Sequence, residues 1–130
     1  MIDAAALAGV LDASALLAML LEEPGGDEVA GLLPRTRVLA VNLAEVLGRL
    51  ARDGMPDDAL AGLEVRLRPL ALPFEAGLTA ETARLIRIAR GLSLGDRACI
   101  ATAKHLRLPV ITADRVWARL DLGVEVKLIR

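Results

Sequence analysis

Short apolar runs that alternate with helical segments are the feature that most constrains what this chain can fold into. The runs at residues 9–12, 38–41 and 109–112 show none of the polar alternation of a half-exposed strand. Buried strands of this kind are typical of a parallel sheet that carries helices on both faces. Weaker candidates lie at residues 70–72 and at 124–128, where the alternation indicates an exposed edge strand. The sequence therefore predicts an α/β fold with a central, mostly parallel sheet of four to five strands.

Helix signals fill the segments between these strands. Asn42 is the expected N-cap of a helix whose apolar residues recur at i, i+3, i+4 and i+7. Thr79 is the expected N-cap of a later helix in which Ile88 faces inward, and Ser93 is expected to begin the next one. The predicted helices cover residues 14–23, 28–33, 42–52, 56–67, 79–91 and 93–106.

Composition excludes several classes of protein. The chain has 130 residues, 55% hydrophobic and 25% charged, so we expect one domain over residues 1–130 rather than disorder. Its longest apolar stretch, residues 13–21, is about half of what a bilayer span needs, and Asp3 and Asp12 argue against a signal peptide. The single cysteine, Cys99, fits a reducing compartment, and we expect a cytoplasmic location. A net charge of −1 and 2% aromatic residues predict no general attraction to nucleic acid and no base-stacking platform.

Four acidic residues fall at predicted strand ends or in the first turns of predicted helices. Asp12 ends the first strand, and Asp114 lies two residues beyond Thr112, at the end of a later one. Glu45 and Asp96 each lie one turn into a helix. In such sheets, ligands bind outside the carboxyl ends of the strands, and right-handed crossovers bring those ends together. We therefore expect the four acids at one edge of the sheet.

Each acid also has a purely structural explanation. The residues around Glu45 and around Asp96 both fit a capping box. Glu45 also fits an ion pair with Arg49, one turn further along the helix. Asp12 fits the cap of the helix that follows it, and Asp114 fits a turn.

Taken together, the four acids favour a metal site. Clustered carboxylates repel one another, and a hard divalent cation relieves that repulsion. Carboxylate and water ligands suit Mg²⁺ or Mn²⁺, whereas zinc prefers histidine and cysteine. His105 and Cys99 are the only such candidates, and neither belongs to a pair with ligand spacing.

Four segments carry a resemblance to a known family: VLDASALL at residues 10–17, NLAEV at 42–46, LSLGDRAC at 92–99 and VITAD at 110–114. They resemble PIN-domain ribonucleases, and most closely the VapC-type toxins of prokaryotic toxin–antitoxin pairs, in the same order and over essentially the whole chain. The resemblance implies a three-layer α/β/α PIN-like fold and a metal-dependent endoribonuclease that leaves a 5′-phosphate. It also implies a cognate antitoxin as the inhibitory partner, and it supports a homodimer.

The resemblance also assigns residues to roles. By this likeness the metal-site acids are Asp12, Glu45, Asp96 and Asp114, and the supporting hydroxyls are Ser14 and Thr112. We expect the three aspartates to hold Mg²⁺ or Mn²⁺ directly or through water, and Glu45 to ligate the metal or orient the attacking water. Arg97 and Arg115 directly follow two of the acids and are candidates for substrate phosphate contacts, although a solvated surface role fits them equally.

One departure from the family pattern concerns the number of metal ions. Some PIN domains carry a further acid shortly after the last one, whereas Asp114 is followed by Arg115, Val116 and Trp117. This difference argues against a fully formed second metal position.

Three alternative functions compete with the nuclease. A phosphotransfer receiver would need an acid pair after the first strand and an aspartate after residues 70–73, and the sequence has neither. A nucleotide-binding module would need a glycine-rich phosphate loop, which the sequence also lacks. The more serious alternative keeps the fold and loses the catalysis, which leaves a PIN-like module that binds RNA or protein.

Overall fold

Five parallel strands form the central sheet of the computed structural model, which describes residues 6–130. The strands are β1 (Gly9–Leu11), β2 (Thr36–Leu39), β3 (Ala71–Leu72), β4 (Val110–Thr112) and β5 (Val126–Leu128), in the order β3-β2-β1-β4-β5. Leu11 in β1 lies beside Val38 in β2 and Ile111 in β4. From β1, the chain first adds β2 and β3 on one side of the sheet and then adds β4 and β5 on the other side. The order therefore reverses between β1 and β4, where a crevice for a ligand is expected at the carboxyl edge.

Helices cover both faces of this sheet. Within residues 6–130 they are α1 (Ala13–Leu20), α2 (Gly26–Leu32), α3 (Ala40–Arg52), α4 (Asp57–Leu67), α5 (Thr79–Arg84) and α6 (Leu94–Leu106). Leu11 and Ile111 pack with residues of α1 to α4, whereas Val10 and Val110 point to the opposite face and pack with residues of α6 and of the segment 85–92. The predicted three-layer α/β/α fold is confirmed, and β5 lies at one edge of the sheet, with β3 at the other. None of the helices in residues 6–130 is long and apolar enough to cross a membrane.

Two predicted helix starts were wrong. Helix α3 begins at Ala40 with Leu39 as its N-cap, so Asn42 lies inside the first turn and does not cap the helix. A 3₁₀ turn, Ala76–Leu78, leads into α5, so Thr79 is the first helical residue rather than the cap.

The predicted inward position of Ile88 was also wrong. The α-helical geometry of α5 ends at Arg84, and the chain continues as a tighter 3₁₀ helix, Leu85–Arg87. The helical geometry ends at Arg87 with Ile88 as the C-cap, so the helical periodicity that predicted an inward Ile88 does not extend to this residue. Ile88 is 49% exposed, whereas Leu85 and Ala89 are buried.

Candidate active site

Asp12 is the most constrained of the four acids. It follows β1 directly, caps the N-terminus of α1 and is only 2% exposed. Its Oδ1 accepts hydrogen bonds from the Ala15 amide at 2.9 Å and from the Ser14 hydroxyl at 2.8 Å. Its Oδ2 accepts one from the Thr112 hydroxyl at 2.6 Å. Groups from the first turn of α1 and from the end of β4 therefore fix both carboxylate oxygens.

Two hydroxyls join the ends of β1 and β4. The Thr112 hydroxyl, which donates to Asp12, also accepts a hydrogen bond from the Asp114 amide at 3.0 Å. The Ser14 hydroxyl accepts one from the Ala113 amide at 2.9 Å. Asp114 then uses its Oδ1 to accept from the Val116 amide at 3.0 Å and caps the 3₁₀ helix Arg115–Arg119. Asp12 and Asp114 are thus linked across the point where the strand order reverses.

Glu45 is held against the start of α6 by a residue that the sequence did not identify as part of the site. Asn42 is fully buried, and its Nδ2 donates to Glu45 Oε1 at 2.8 Å and to the Gly95 carbonyl at 3.1 Å. A Cβ at Gly95 would overlap the Glu45 carboxylate, so the two residues are in close contact. The expected pair between Glu45 and Arg49 does not form, because Arg49 pairs with Asp53 at 2.8 Å.

Asp96 lies in the first turn of α6 and completes the capping box that the sequence predicted. Its backbone amide donates to the Ser93 hydroxyl at 3.1 Å, and its Oδ2 accepts from the Ser93 amide at 3.0 Å. The capping box takes one carboxylate oxygen of Asp96, and the described residues donate no hydrogen bond to Oδ1.

The electrostatics place three of the acids within reach of one another. Burial raises the pKa of Asp12 from its ordinary value of 3.8 to about 6, against the opposing effect of its hydrogen bonds, and the charge of Asp96 contributes to the rise. Burial also raises the pKa of the Cys99 thiol, and the charges of Asp12, Asp96 and Glu45 add to that rise. The charges of Asp12, Glu45 and Asp96 therefore all act on the buried Cys99 thiol.

The donor chemistry of this edge fits a hard divalent cation. All four acids offer carboxylate oxygens, and none of the ion pairs formed within residues 6–130 includes any of them. In the same part of the chain, no three His, Cys, Asp or Glu side chains are arranged so that they could hold a metal ion. The composition of the site therefore matches Mg²⁺ or Mn²⁺, whereas its side chains do not form a closed set of ligands.

The two arginines differ in their surroundings. Arg97 is half-buried, and its Nε is buried without a hydrogen-bond partner among the described residues. Arg115 is exposed, and its Nε donates to the Arg130 carbonyl at 3.2 Å. Their contact with substrate phosphates remains a prediction.

The fold and the position of the acids define a class: a parallel α/β domain with carboxylates at the point where the strand order reverses. A family model for the PIN domain matches residues 9–122, and the chain belongs to the PIN domain family. PIN domains are generally nucleases, and these nucleases typically use divalent metal ions. No curated protein has a matching sequence.

Solved structures with a similar fold include VapBC complexes and a toxin–antitoxin complex. A chain of the DNA-bound VapBC complex from Salmonella typhimurium has a TM-score of 0.72 and 19% identity, over 95% of this chain and 99% of that one. A chain of FitAcB from Neisseria gonorrhoeae has a TM-score of 0.66 and 24% identity, over 92% and 96%. A chain of a toxin–antitoxin complex from Klebsiella pneumoniae has a TM-score of 0.67 and 16% identity, over 82% and 86%. At these identities the likeness establishes the fold.

Proposed function

We propose that this PIN domain is a metal-dependent endoribonuclease that acts as the toxin of a toxin–antitoxin pair. The observation that carries the proposal is that Asp12 and Asp114, joined through the Thr112 hydroxyl, lie where the strand order of a PIN-domain sheet reverses. Glu45 is held against the turn that carries Asp96. The charges of Asp12, Glu45 and Asp96 all raise the pKa of the Cys99 thiol. A cluster of carboxylates without a basic partner among the described residues is costly in the absence of a cation.

Asp12, Asp96 and Asp114 would hold Mg²⁺ or Mn²⁺. When bound, such a metal lowers the pKa of a coordinated water and neutralises charge on the scissile phosphate. Ser14 and Thr112 keep Asp12 in one orientation, because each hydroxyl donates to its carboxylate. The site therefore needs little rearrangement at Asp12.

Glu45 would orient the attacking water and accept its proton. Asn42 donates a hydrogen bond to Oε1 of Glu45, so Oε2 is the oxygen that would accept the proton of the water. In the reaction, the water oxygen forms a bond to phosphorus, the bond from phosphorus to the 3′ oxygen breaks, and that oxygen takes a proton from solvent water. The proton that Glu45 accepts from the attacking water returns to solvent. The product carries a 5′-phosphate. Arg97 and Arg115 are proposed to contact the phosphates on either side.

The partners are proposed on the likeness to toxin–antitoxin complexes. A cognate antitoxin would bind the chain and suppress cleavage, and the chain itself would form a homodimer. Both associations would cover apolar side chains that are exposed here, among which Val65 is 58% exposed. The expected genetic context is a short upstream gene for a DNA-binding protein whose product copurifies with this chain. The cytoplasmic location belongs to the same proposal.

The test is cleavage of 5′-labelled single-stranded RNA in Mg²⁺ or Mn²⁺, with and without EDTA. Asp96→Asn should reduce the rate by roughly 100-fold or more, since even the loss of a partner outside the metal ligands costs roughly 10- to 100-fold. Asp53→Asn is the matched control. Asp53 is an exposed acid at the C-terminal end of α3, about 12 Å along the helix from Glu45.

Three outcomes distinguish the possible functions. Cleavage that needs metal, survives Asp53→Asn and is lost in Asp96→Asn supports the nuclease. Equal cleavage by the native protein and Asp96→Asn identifies a contaminating nuclease and refutes the assignment of the site. RNA binding without cleavage in either metal favours the PIN-like binding module.

A further inference from the structure

Asn42 bridges two helices through a single amide group. It is the third residue of α3, and its Nδ2 donates to Glu45 in the same helix and to the backbone carbonyl of Gly95 in α6. A carboxylate and a carbonyl can only accept hydrogen bonds, so the NH₂ group of the amide must face them. The opposite rotamer would place three acceptors together. The bridge therefore requires a side chain that donates two hydrogen bonds from one atom.

Gly95 provides the space that this arrangement needs. A Cβ at this position would overlap Glu45 Oε1, and it would also lie 2.9 Å from Glu45 Cδ. Gly95 is buried in the first turn of α6, where glycine is unfavourable for helix formation. Its neighbour in the chain is Asp96. The contact between Glu45 and Gly95 thus sets the position of one acid relative to another.

Stability alone does not account for Asn42. Its Oδ1 is buried and has no hydrogen-bond partner among residues 6–130, and an orphaned buried acceptor destabilises a fold. Its two hydrogen bonds go to Glu45 and to the turn that carries Asp96. The hydrogen bonds of Asn42 therefore serve to position Glu45 relative to the turn that carries Asp96.

We infer that Asn42 is a positioning residue that fixes Glu45 against the start of α6, where a Cβ at residue 95 would overlap the Glu45 carboxylate. Asn42 is fully buried, so it acts through Glu45. The inference rests on the proposed function, because the fixed geometry matters for catalysis only if Glu45 and Asp96 serve the same metal-dependent reaction.

The first test needs no metal and follows the side-chain amide of Asn42 by ¹H–¹⁵N NMR. In the native protein, the two amide protons should be well separated in chemical shift and exchange slowly with solvent. Glu45→Ala removes one acceptor at an exposed side chain, so the protein should stay folded while the Asn42 signal shifts and exchanges faster. An Asn42 amide with the shift and exchange rate of a solvated side chain in the native protein would overturn the inference.

The second test measures Mn²⁺ binding by calorimetry in Asn42→Ala, Asn42→Ser and Gly95→Ala. We expect the dissociation constant to rise roughly 10- to 100-fold in Asn42→Ala and Gly95→Ala, as is usual when a partner of a metal-site group is lost. Asn42→Ser keeps one donor and should recover part of the affinity. Gly48→Ala is the control, because Gly48 lies in the same helix as Glu45 and has open space around it.

The outcomes separate the positioning role from the proposed function. If the native protein binds Mn²⁺ and the Asn42 and Gly95 variants bind it equally well, the positioning role is refuted and the proposed function stands. If the native protein binds no Mn²⁺, the proposed function loses its support, and the NMR result decides whether Asn42 holds Glu45. Thermal unfolding of each variant identifies any loss of affinity that comes from unfolding.

Discussion

Replacement of Asp12 by asparagine should stabilise the protein when no metal is present. Asp12 is 2% exposed, and burial raises its pKa to about 6 even though Ser14, Ala15 and Thr112 all donate hydrogen bonds to it. The ionised carboxylate is therefore less favourable in the folded protein than in the unfolded chain. Asparagine has nearly the same shape and carries no charge.

The sign of the pH dependence follows from this pKa. Between pH 3.8 and about pH 6, the native state holds the Asp12 proton more tightly than the unfolded state does. The stability contributed by Asp12 is therefore fully present below pH 3.8 and is lost as the pH rises through about 6. Asp12→Asn should remove this loss, so the two proteins should differ most above pH 6.

The size of the effect follows from the same two values. A rise in pKa from 3.8 to about 6 corresponds to about 3 kcal/mol, at about 1.36 kcal/mol per pKa unit. Asparagine retains an oxygen for the Ala15 amide but cannot accept every hydrogen bond that the carboxylate accepts. We therefore expect a net gain of about 1–3 kcal/mol at pH 7.5, or about 3–10 °C in the unfolding midpoint of a chain of this length.

The assay is urea and thermal unfolding from pH 4.5 to pH 8 in EDTA, followed by circular dichroism. Added Mn²⁺ should reverse the order, because metal binding favours the ionised carboxylate and so stabilises the native protein more than Asp12→Asn. Parallel pH profiles for the two proteins in EDTA would refute the reasoning about the buried charge. Because asparagine still caps α1, a variant that loses its helical signal at every pH would show that the fold needs a carboxylate to accept the Ser14 and Thr112 hydroxyls.

Three further predictions concern separate features of the structure. Thr112→Val removes the hydrogen bond donated to Asp12, so the pKa of Asp12 should rise further and half-maximal Mn²⁺ binding should move to higher pH in a calorimetric series. In α2, Gly31→Ala should stabilise the protein by about 0.5–1 kcal/mol because its surroundings are open, whereas Gly26→Ala should destabilise it because a Cβ would collide with the backbone of α1; urea unfolding measures both. Ile100→Ala, at a fully buried position in α6, should cost about 2–5 kcal/mol in the same assay.

The fold was predictable because its strands are short and buried on both faces. The expected strands at residues 9–12 and 109–112 match β1 and β4 to within a residue. The strand expected at 38–41 lies two residues earlier, because residues 40 and 41 are apolar and already belong to α3. Thr36, which begins β2, is fully buried, and its hydroxyl is satisfied there because it donates to the Leu33 carbonyl at 2.8 Å. When an apolar run continues from a strand into a helix, no residue in the run shows where the strand ends.

The early start of α3 also explains why the sequence did not identify Asn42 as part of the site. An asparagine at the apparent start of a helix indicates a cap, and α3 starts two residues before Asn42. The contact of Gly95 with Glu45 joins residues far apart in the chain, so neither neighbour in the sequence indicates it. The acids themselves were found because strand ends and first helical turns can be located from local patterns.

In Asp96 and Asp114, one carboxylate oxygen caps a helix and the other is left to bind a metal ion. Oδ2 of Asp96 accepts a hydrogen bond from the Ser93 amide at the start of α6, and Oδ1 of Asp114 accepts one from the Val116 amide. Among the described residues, the other oxygen of each aspartate accepts no hydrogen bond, so one carboxylate can cap a helix and still offer an oxygen to a cation. An Asp→Asn change keeps an oxygen for the cap and removes the charge, whereas Asp→Ala removes both. The pair of substitutions at Asp96 therefore separates the two roles: activity should be lost in both variants, and stability should fall only in Asp96→Ala.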